Sequence, residues 1–187
     1  MRIILASKSP RRRELLSELY RDFEIITEET DETLPEGIHP REGVAILAER
    51  KGAAVKDKLG DEALIISSDT LVELDGIPLG KPRDEADAAR MLRSLSGKAH
   101  NVHTGVAVHY RGKVHRGTDS TAVHFRPITE EEIADYIASR EPMDKAGSYA
   151  IQGSGGKFIT GCEGDYDTVV GLSMRLLGEL ISLATEE

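Results

Sequence analysis

The sequence holds a single cysteine, Cys162, so an internal disulfide is excluded and a reducing compartment is the natural setting. It has no apolar run of membrane-spanning length. A strand-like stretch begins at Arg2, which leaves no room for a secretory leader, so the cytoplasm is the expected location. Positive charge is in deficit: 24 Lys and Arg stand against 33 Asp and Glu, a net −9. That balance argues against nonspecific binding to nucleic acid or to an anionic membrane, so any basic site must be a local device. Internal repeats and low-complexity tracts are also missing. What is present, 39% hydrophobic and 30% charged residues, is the composition of a globular chain. Its 187 residues suit one domain, or two small lobes sharing a core.

Hydrophobic periodicity gives the order of elements. Residues 2–6 read as a buried strand, 10–20 as a helix with Leu15, Leu16 and Leu19 on one face, and 23–26 as a short strand. Residues 28–40, acidic and rich in threonine, form a loop, and 41–58 a helix with Val44, Leu47, Ala48 and Val55 inward. The apolar run 63–68 is a strand buried on both faces. It continues to Leu74, turns at Asp75-Gly76 and returns through Ile77 to Lys81. A helix capped by Asp84 runs to Leu95, and two long antiparallel strands, 101–110 and 113–125, flank Arg111-Gly112. Thr129 and Glu132 spell a capping box for a helix to Ser139. Glycine-rich loops with short strands fill 146–171, and a last helix spans 172–184. The alternation of helices and strands with a β-rich middle predicts an α/β fold with a mixed sheet.

The first loop carries an electrostatic conflict. Ser9-Pro10 is a helix start, serine as cap and proline at the first helical position. Arg11, Arg12 and Arg13 then fill the first turn. A helix N-terminus already carries about half a positive charge, and each cation there costs roughly 0.3–1 kcal/mol. A bound anion resolves the conflict: free backbone N–H groups, the Ser7 and Ser9 hydroxyls, Lys8 and the arginines can converge on phosphate oxygens. The alternative is that the arginines are solvated, or pair with the acidic stretch 28–32. Of the three, Arg13 is the one expected to face solvent.

Asp69 interrupts a buried apolar strand, a position where aspartate is rare without a partner. Divalent-cation binding, a role as base toward water, or both, account for it. A capping role fits poorly because the strand pattern continues past it. If Asp75-Gly76 is a two-residue turn, Thr70 falls opposite Lys81, and a bulge at Gly80 would bring the Asp69 and Lys81 side chains together. Lys81 could then neutralise phosphate charge; the alternative is an exposed edge-strand lysine.

Several separated segments match one family. Leu5-Ala-Ser-Lys-Ser-Pro-Arg-Arg12, Ser67-Ser-Asp-Thr-Leu71, Gly80-Lys-Pro82, Leu95-Ser-Gly97, Thr104-Gly-Val106, Lys145-Ala-Gly147, Ile151-Gln-Gly153 and Val170-Gly-Leu172 occur in the order of the Maf family of nucleoside triphosphate pyrophosphatases, which the sequence resembles over nearly its whole length. The resemblance implies a Maf/ITPase-like α/β fold, an elongated mixed β-sheet flanked by helices with a central substrate cleft, in which residues 1–187 form a single domain of two lobes. It implies a homodimer that uses a divalent cation, Mg²⁺ or Mn²⁺, to hydrolyse a nucleoside triphosphate to monophosphate and pyrophosphate, and a link to nucleotide-pool sanitation and to arrest of septum formation. By position, Ser7, Arg11 and Arg12 correspond to triphosphate ligands and Glu32 to a carboxylate serving metal or water. Lys51 and Lys81 correspond to phosphate-binding lysines, and Asp69 to the proton acceptor and second metal carboxylate. In-line attack on the α-phosphorus needs an oriented water, positive charge and help for the leaving group, which this set would supply.

Arg11, Thr70 and Gln152 match the branch acting on dTTP and UTP, and the Gln152 amide can donate and accept as a pyrimidine edge requires. Thr30-Asp31-Glu32-Thr33 resembles the 7-methyl-GTP branch instead, so that substrate stays as an alternative, as does a nucleotide-binding regulator of septum formation. Ser173 departs from the proline usual in the family at the start of the last helix, and only local rigidity is expected to change. Gly153-Ser-Gly-Gly-Lys157 lacks the Walker spacing and reads as a turn. His100, His103, His109, His115 and His124 lack metal-ligand spacing and read as solvated strand residues. Cys162 is expected to be inert, and Asp165 and Asp167 are read as structural rather than as metal ligands.

Overall fold

The run of apolar residues after Glu62 forms the long strand around which the rest is ordered. In the computed structural model, which describes residues 1–186, this strand is β3 (Ala63–Leu74), continuous through Asp69. The other strands are β1 (Arg2–Leu5), β2 (Glu24–Ile25), β4 (Ile77–Leu79), β5 (Ala99–Tyr110), β6 (Lys113–Phe125) and β7 (Ile159–Glu163). The helices are α1 (Pro10–Ser17), α2 (Pro40–Leu59), α3 (Glu85–Leu95), α4 (Glu130–Ala138), α5 (Tyr166–Val170) and α6 (Met174–Thr185). The strands form one sheet of seven in the order β2-β1-β3-β5-β6-β7, with β4 on β3. It is mixed, as the alternating pattern predicts: β1 runs parallel to β2 and β3, whereas β3/β4 and β6/β7 are antiparallel.

The chain divides into two compact units. The first comprises Met1–Asp69, Thr104–Asp119 and the described residues from Gly171 onward; the second, Thr70–His103 and Ser120–Val170. Each has its own core. In the first, Leu5, Leu64, Ile66 and Val108 cluster with Leu16 of α1 and Leu172, Leu177 and Leu180 near the C-terminus. A smaller group, Ile4, Ile65 and Val55, joins β1 and β3 to α2. Alternate residues of β1 and β3 thus enter different clusters, the signature of strands buried on both faces. In the second unit, Leu92 and Leu95 of α3, Ile133 and Tyr136 of α4, and Phe125, Tyr149 and Phe158 form one core. Its rings meet edge to face, with Phe125–Tyr149 centroids 4.8 Å apart and Tyr136–Phe158 5.3 Å apart.

Local signals placed most element ends. Asp84 caps α3 by accepting from the Asp87 N–H at 2.7 Å, and Thr129 and Glu132 form the capping box. Asp75 and Gly76 take φ of 52° and 80°, the left-handed pair of a tight hairpin, with Leu74 opposite Ile77. The β3/β4 pairing ends at Leu79, so the strand stops short of Gly80 and Lys81. Helix α1 ends at Ser17 rather than Tyr20, leaving Leu19 exposed. The segment 146–171 also contains helix α5, hidden by its glycine-rich surroundings.

Ser173 does more than alter rigidity. Its hydroxyl oxygen caps α6 by accepting from the Leu176 N–H at 3.2 Å, and the hydroxyl donates to Asp119 at 2.8 Å. Serine there supplies a cap that proline lacks.

Candidate active site

Parallel register places the first loop. Leu5 pairs with Ile66, and the Ala6 N–H continues the ladder to the Ile66 carbonyl at 2.8 Å. The loop 6–12 therefore leaves β1 beside Ser67, Ser68 and Asp69. Ligands of open α/β sheets sit at such carboxyl ends.

Ser9 caps α1, its side chain accepting from the Arg12 N–H, as the sequence predicts. Ser7 is buried, and its hydroxyl oxygen accepts from the Ser9 N–H at 3.2 Å and from the Arg12 guanidinium at 3.3 Å. The same guanidinium donates from Nε to the Gly171 carbonyl at 2.7 Å and from a terminal nitrogen to the Ser68 carbonyl at 2.9 Å. Arg12 thus ties three segments together. Its pKa lies below the ordinary arginine value because burial disfavours the charged form and Arg11 repels it, with Asp69 acting in the opposite sense. Arg11 differs: its buried Nε has no hydrogen-bond partner among the described residues. An orphaned guanidinium N–H beside a helix N-terminus suits an anion acceptor. Arg13 and Lys8 are exposed.

Two carboxylates of the acidic stretch pair with lysines rather than with the arginines of the loop. Glu28 pairs with Lys58, and Glu32 with Lys51, both of α2. Lys51 is the centre of this arrangement: its ammonium lies 2.5 Å from Asp69 Oδ1 and 3.0 Å from Glu32 Oε1. The Lys51 and Asp69 side chains are mostly buried, at 22% and 15% exposure, whereas Glu32 is 65% exposed. Glu32, Lys51 and Asp69, 37 residues apart along the chain at their extremes, therefore meet at one point.

Two close approaches of α2 to the sheet set that meeting. A Cβ on Gly105 of β5 would lie 2.2 Å from the Val44 carbonyl oxygen, and one on Gly52 would lie 2.5 Å from the His109 ring. Only glycine permits either contact. Ser67 Oγ then donates to the Ala48 carbonyl at 2.6 Å, which fixes the helix one turn before Lys51. Ser68 Oγ donates to the Gly171 carbonyl at 2.8 Å, so Gly171 receives both Ser68 and Arg12. These positioning roles for Ser67, Ser68, Gly105 and Gly171 were not read from the sequence. Two serines inside a doubly buried strand were the available signal, because buried hydroxyls require partners.

The remaining predicted residues belong to the second unit. Thr70 lies on β3 directly after Asp69, Lys81 is exposed after β4, and Gln152 is exposed in a turn between Ala150 and Gly153.

Glu32 and Asp69 carry the oxygen donors that a hard cation would use. Glu32 and Asp69 present carboxylate oxygens around a point already occupied by positive charge, the Lys51 ammonium. No group of three or more His, Cys, Asp or Glu positioned to hold a metal occurs among the described residues, so a cation held here would take its other ligands from water and phosphate, as Mg²⁺ does.

The histidines correct an expectation. His100, His103 and His109 are buried rather than solvated. His100 is hydrogen-bonded to Tyr149 at 2.7 Å, and His103 bridges Ser120 and Glu73 at 2.7 and 2.8 Å. They are buried strand residues, held by partners distant along the chain. Cys162 is exposed, and partial burial raises its thiol pKa. A shallow cavity of about 400 Å³ lined by His39, Arg41, Glu42, Ala45, Arg116 and Thr118 contains none of the predicted site residues.

A family model described as Maf-like protein matches residues 2–184. A protein of Pelotomaculum thermopropionicum named dTTP/UTP pyrophosphatase is 49% identical over 181 residues, covering 96% of this chain and 94% of its own. Proteins of the same name from Thermococcus kodakarensis and Bacillus velezensis are 45% and 46% identical, covering 97% and 95% of this chain and 96% of each relative. Among solved structures, a HAM1 protein from Coxiella burnetii aligns with a TM-score of 0.50 at 17% identity, over 98% of this chain and 100% of that one. The Staphylococcus aureus Ham1 protein gives 0.50 at 15% identity, over 67% and 72%. At these identities the structural likeness speaks for the fold alone.

Proposed function

The chain belongs to the Maf family, and on that premise we propose that it hydrolyses dTTP and UTP to the nucleoside monophosphate and pyrophosphate. The reaction rests on the convergence of Glu32 and Asp69 on Lys51 beside an arginine-bearing helix start. The choice of substrate rests on relatives 45–49% identical over nearly their whole length that carry the name dTTP/UTP pyrophosphatase.

In this reading the first unit handles the phosphates. Ser7, Arg11, Arg12 and the free N–H groups of α1 bind triphosphate oxygens and offset the charge that develops in the transition state. A divalent cation, Mg²⁺ or Mn²⁺, held by Glu32 and Asp69 would supply Lewis acidity and lower the pKa of an attacking water. Asp69 accepts the proton of that water, and Lys51 orients the Asp69 carboxylate and contributes positive charge near the phosphates. By their correspondence to family positions, Lys81 is a further phosphate ligand and Thr70 and Gln152 are readers of the base. We place the enzyme in the cytoplasm as a homodimer; no helix among the described residues is long and apolar enough to cross a membrane.

The test is pyrophosphate release from a panel of dTTP, UTP, CTP, GTP, ATP and 7-methyl-GTP with Mg²⁺ or Mn²⁺ and with chelator. We expect the highest kcat/KM on UTP and dTTP and loss of turnover with chelator. Preference for 7-methyl-GTP would overturn the substrate assignment, and absence of turnover on every triphosphate would overturn the reaction.

A further inference from the structure

The turn that carries Gln152 is held by two side chains outside the set described above. On one side, the buried Tyr136 hydroxyl of α4 accepts from the Ala150 N–H at 3.1 Å. On the other, Glu141 accepts from the Ser154 N–H through Oε1 at 3.0 Å and from the Gly155 N–H through Oε2 at 3.2 Å. The Gly153 N–H closes the turn onto the Ala150 carbonyl at 3.2 Å. Tyr136 is also hydrogen-bonded to Glu141, which joins the two anchors.

Local sequence is fitted to this clamp. A Cβ on Gly153 would lie 2.0 Å from Glu141 Oε1, and one on Gly155 would lie 2.6 Å from the Tyr136 hydroxyl oxygen. Both glycines are thus explained by the approach of a specific side chain. Arg140, directly before Glu141, has φ of 66°, a left-handed conformation that non-glycine residues rarely adopt. It stands between the end of α4 and the turn beginning at Glu141. Burial works against ionisation of Glu141, but the Tyr136 hydroxyl, the two backbone N–H groups and nearby Lys145 outweigh it and hold the carboxyl below its ordinary pKa. A charged acceptor of two backbone N–H groups is a stronger anchor than a neutral one.

We propose that Glu141, backed by Tyr136, is a positioning residue for nucleobase selection: it fixes the turn from which Gln152 reads the base. The inference rests on Gln152 facing the base. An amide distinguishes donor from acceptor edges only when its backbone is held, because a loose turn lets either edge of the amide meet the base. Neither Glu141 nor Tyr136 needs to touch substrate.

The experiment compares Glu141→Gln, Tyr136→Phe, Gln152→Ala and the double variant Glu141→Gln/Gln152→Ala, with kcat and KM measured for UTP and GTP and thermal unfolding as a control. In Glu141→Gln one oxygen becomes an NH₂ that must face a backbone N–H, so that hydrogen bond is lost. We expect KM for UTP to rise about tenfold with kcat within about twofold, while KM for GTP changes little. Tyr136→Phe, which keeps the ring in the core, should give a smaller shift of the same kind, about threefold, and carries the test if Glu141→Gln does not fold. The double variant should discriminate no worse than Gln152→Ala alone. If Gln152→Ala loses discrimination while folded Glu141→Gln and Tyr136→Phe retain it, the positioning role is overturned. An equal loss on UTP and GTP also overturns it, leaving Glu141 a residue of the fold only. If Gln152→Ala itself leaves discrimination intact, it is the reading of Gln152 that fails.

Discussion

Replacing Asp69 by Asn separates the chemistry from the scaffold. The Asp69 carboxylate and the Lys51 ammonium are 2.5 Å apart, at 15% and 22% exposure. At an effective dielectric near 20 such a pair attracts by about 4 kcal/mol at 4 Å before any desolvation is counted. Most of that is offset in the folded protein. Asn keeps an acceptor oxygen for the ammonium, and Glu32 remains as its partner at 3.0 Å. The net stability loss should be about 1 kcal/mol, or roughly 2–4 °C in Tm for a chain of this size. If Asp69 accepts the proton from water, turnover should fall about 10²–10⁴-fold, which is roughly 3–5 kcal/mol in the barrier. Pyrophosphate release, unfolding temperature and calorimetric binding of a non-hydrolysable UTP analogue measure these quantities separately. Turnover within tenfold of the unaltered protein would refute the role of Asp69 as base. A loss of binding equal to the loss of turnover would show that Asp69 holds the substrate complex together instead.

Three further outcomes follow from particular contacts. Arg11→Ala should weaken UTP binding at least about tenfold and uridine binding by less than about twofold, because the orphaned Arg11 Nε is available to phosphate; Arg13→Ala should alter neither. Equal weakening of nucleotide and nucleoside by Arg11→Ala would remove that residue from the phosphate site. Gly105→Ala should destabilise by about 3 kcal/mol or more in urea titrations, since the new methyl meets rigid helix backbone at Val44. Gly43→Ala should cost little, because its methyl meets only the movable end of Leu34. Burial, with a smaller contribution from His124, pushes His100 down to about 4, so the folded state resists the proton that the unfolded chain accepts near 6.5. That contribution to stability is full above about pH 6.5 and falls as pH drops toward 4, by roughly 3 kcal/mol in all. His109, also lowered by burial, acts in the same direction. Urea midpoints between pH 7 and 4.5 should therefore fall less steeply in His100→Gln, and parallel slopes would refute the assignment.

Helix starts and turns were legible because their chemistry is local. Ser9-Pro10, Asp84, the Thr129–Glu132 box and Asp75-Gly76 act within a few residues of chain, and each appears at the predicted place. Strand β3 was legible because burial on both faces leaves a continuous apolar run. Helix α5 was not, because five residues among glycines carry no usable period. The inward histidines were missed for a related reason: a polar ring on a strand reads as solvated until its partner, Tyr149 for His100 or Glu73 for His103, is known.

Neighbours along the chain and matching motifs were enough to specify most of the element order, the α/β class, the misplaced positive charge at the start of α1 and the residue types able to handle a triphosphate. Tertiary structure alone decided the rest. It turned Arg12 into a tie between Ser7, Ser68 and Gly171, left Arg11 with the open donor, and gave Lys51 rather than the arginines to Glu32. These choices depend on side chains from distant segments whose approach is set by the parallel register of β1 and β3 and by the glycines that let α2 lie against the sheet. No periodicity within a single segment encodes the distance between two of them.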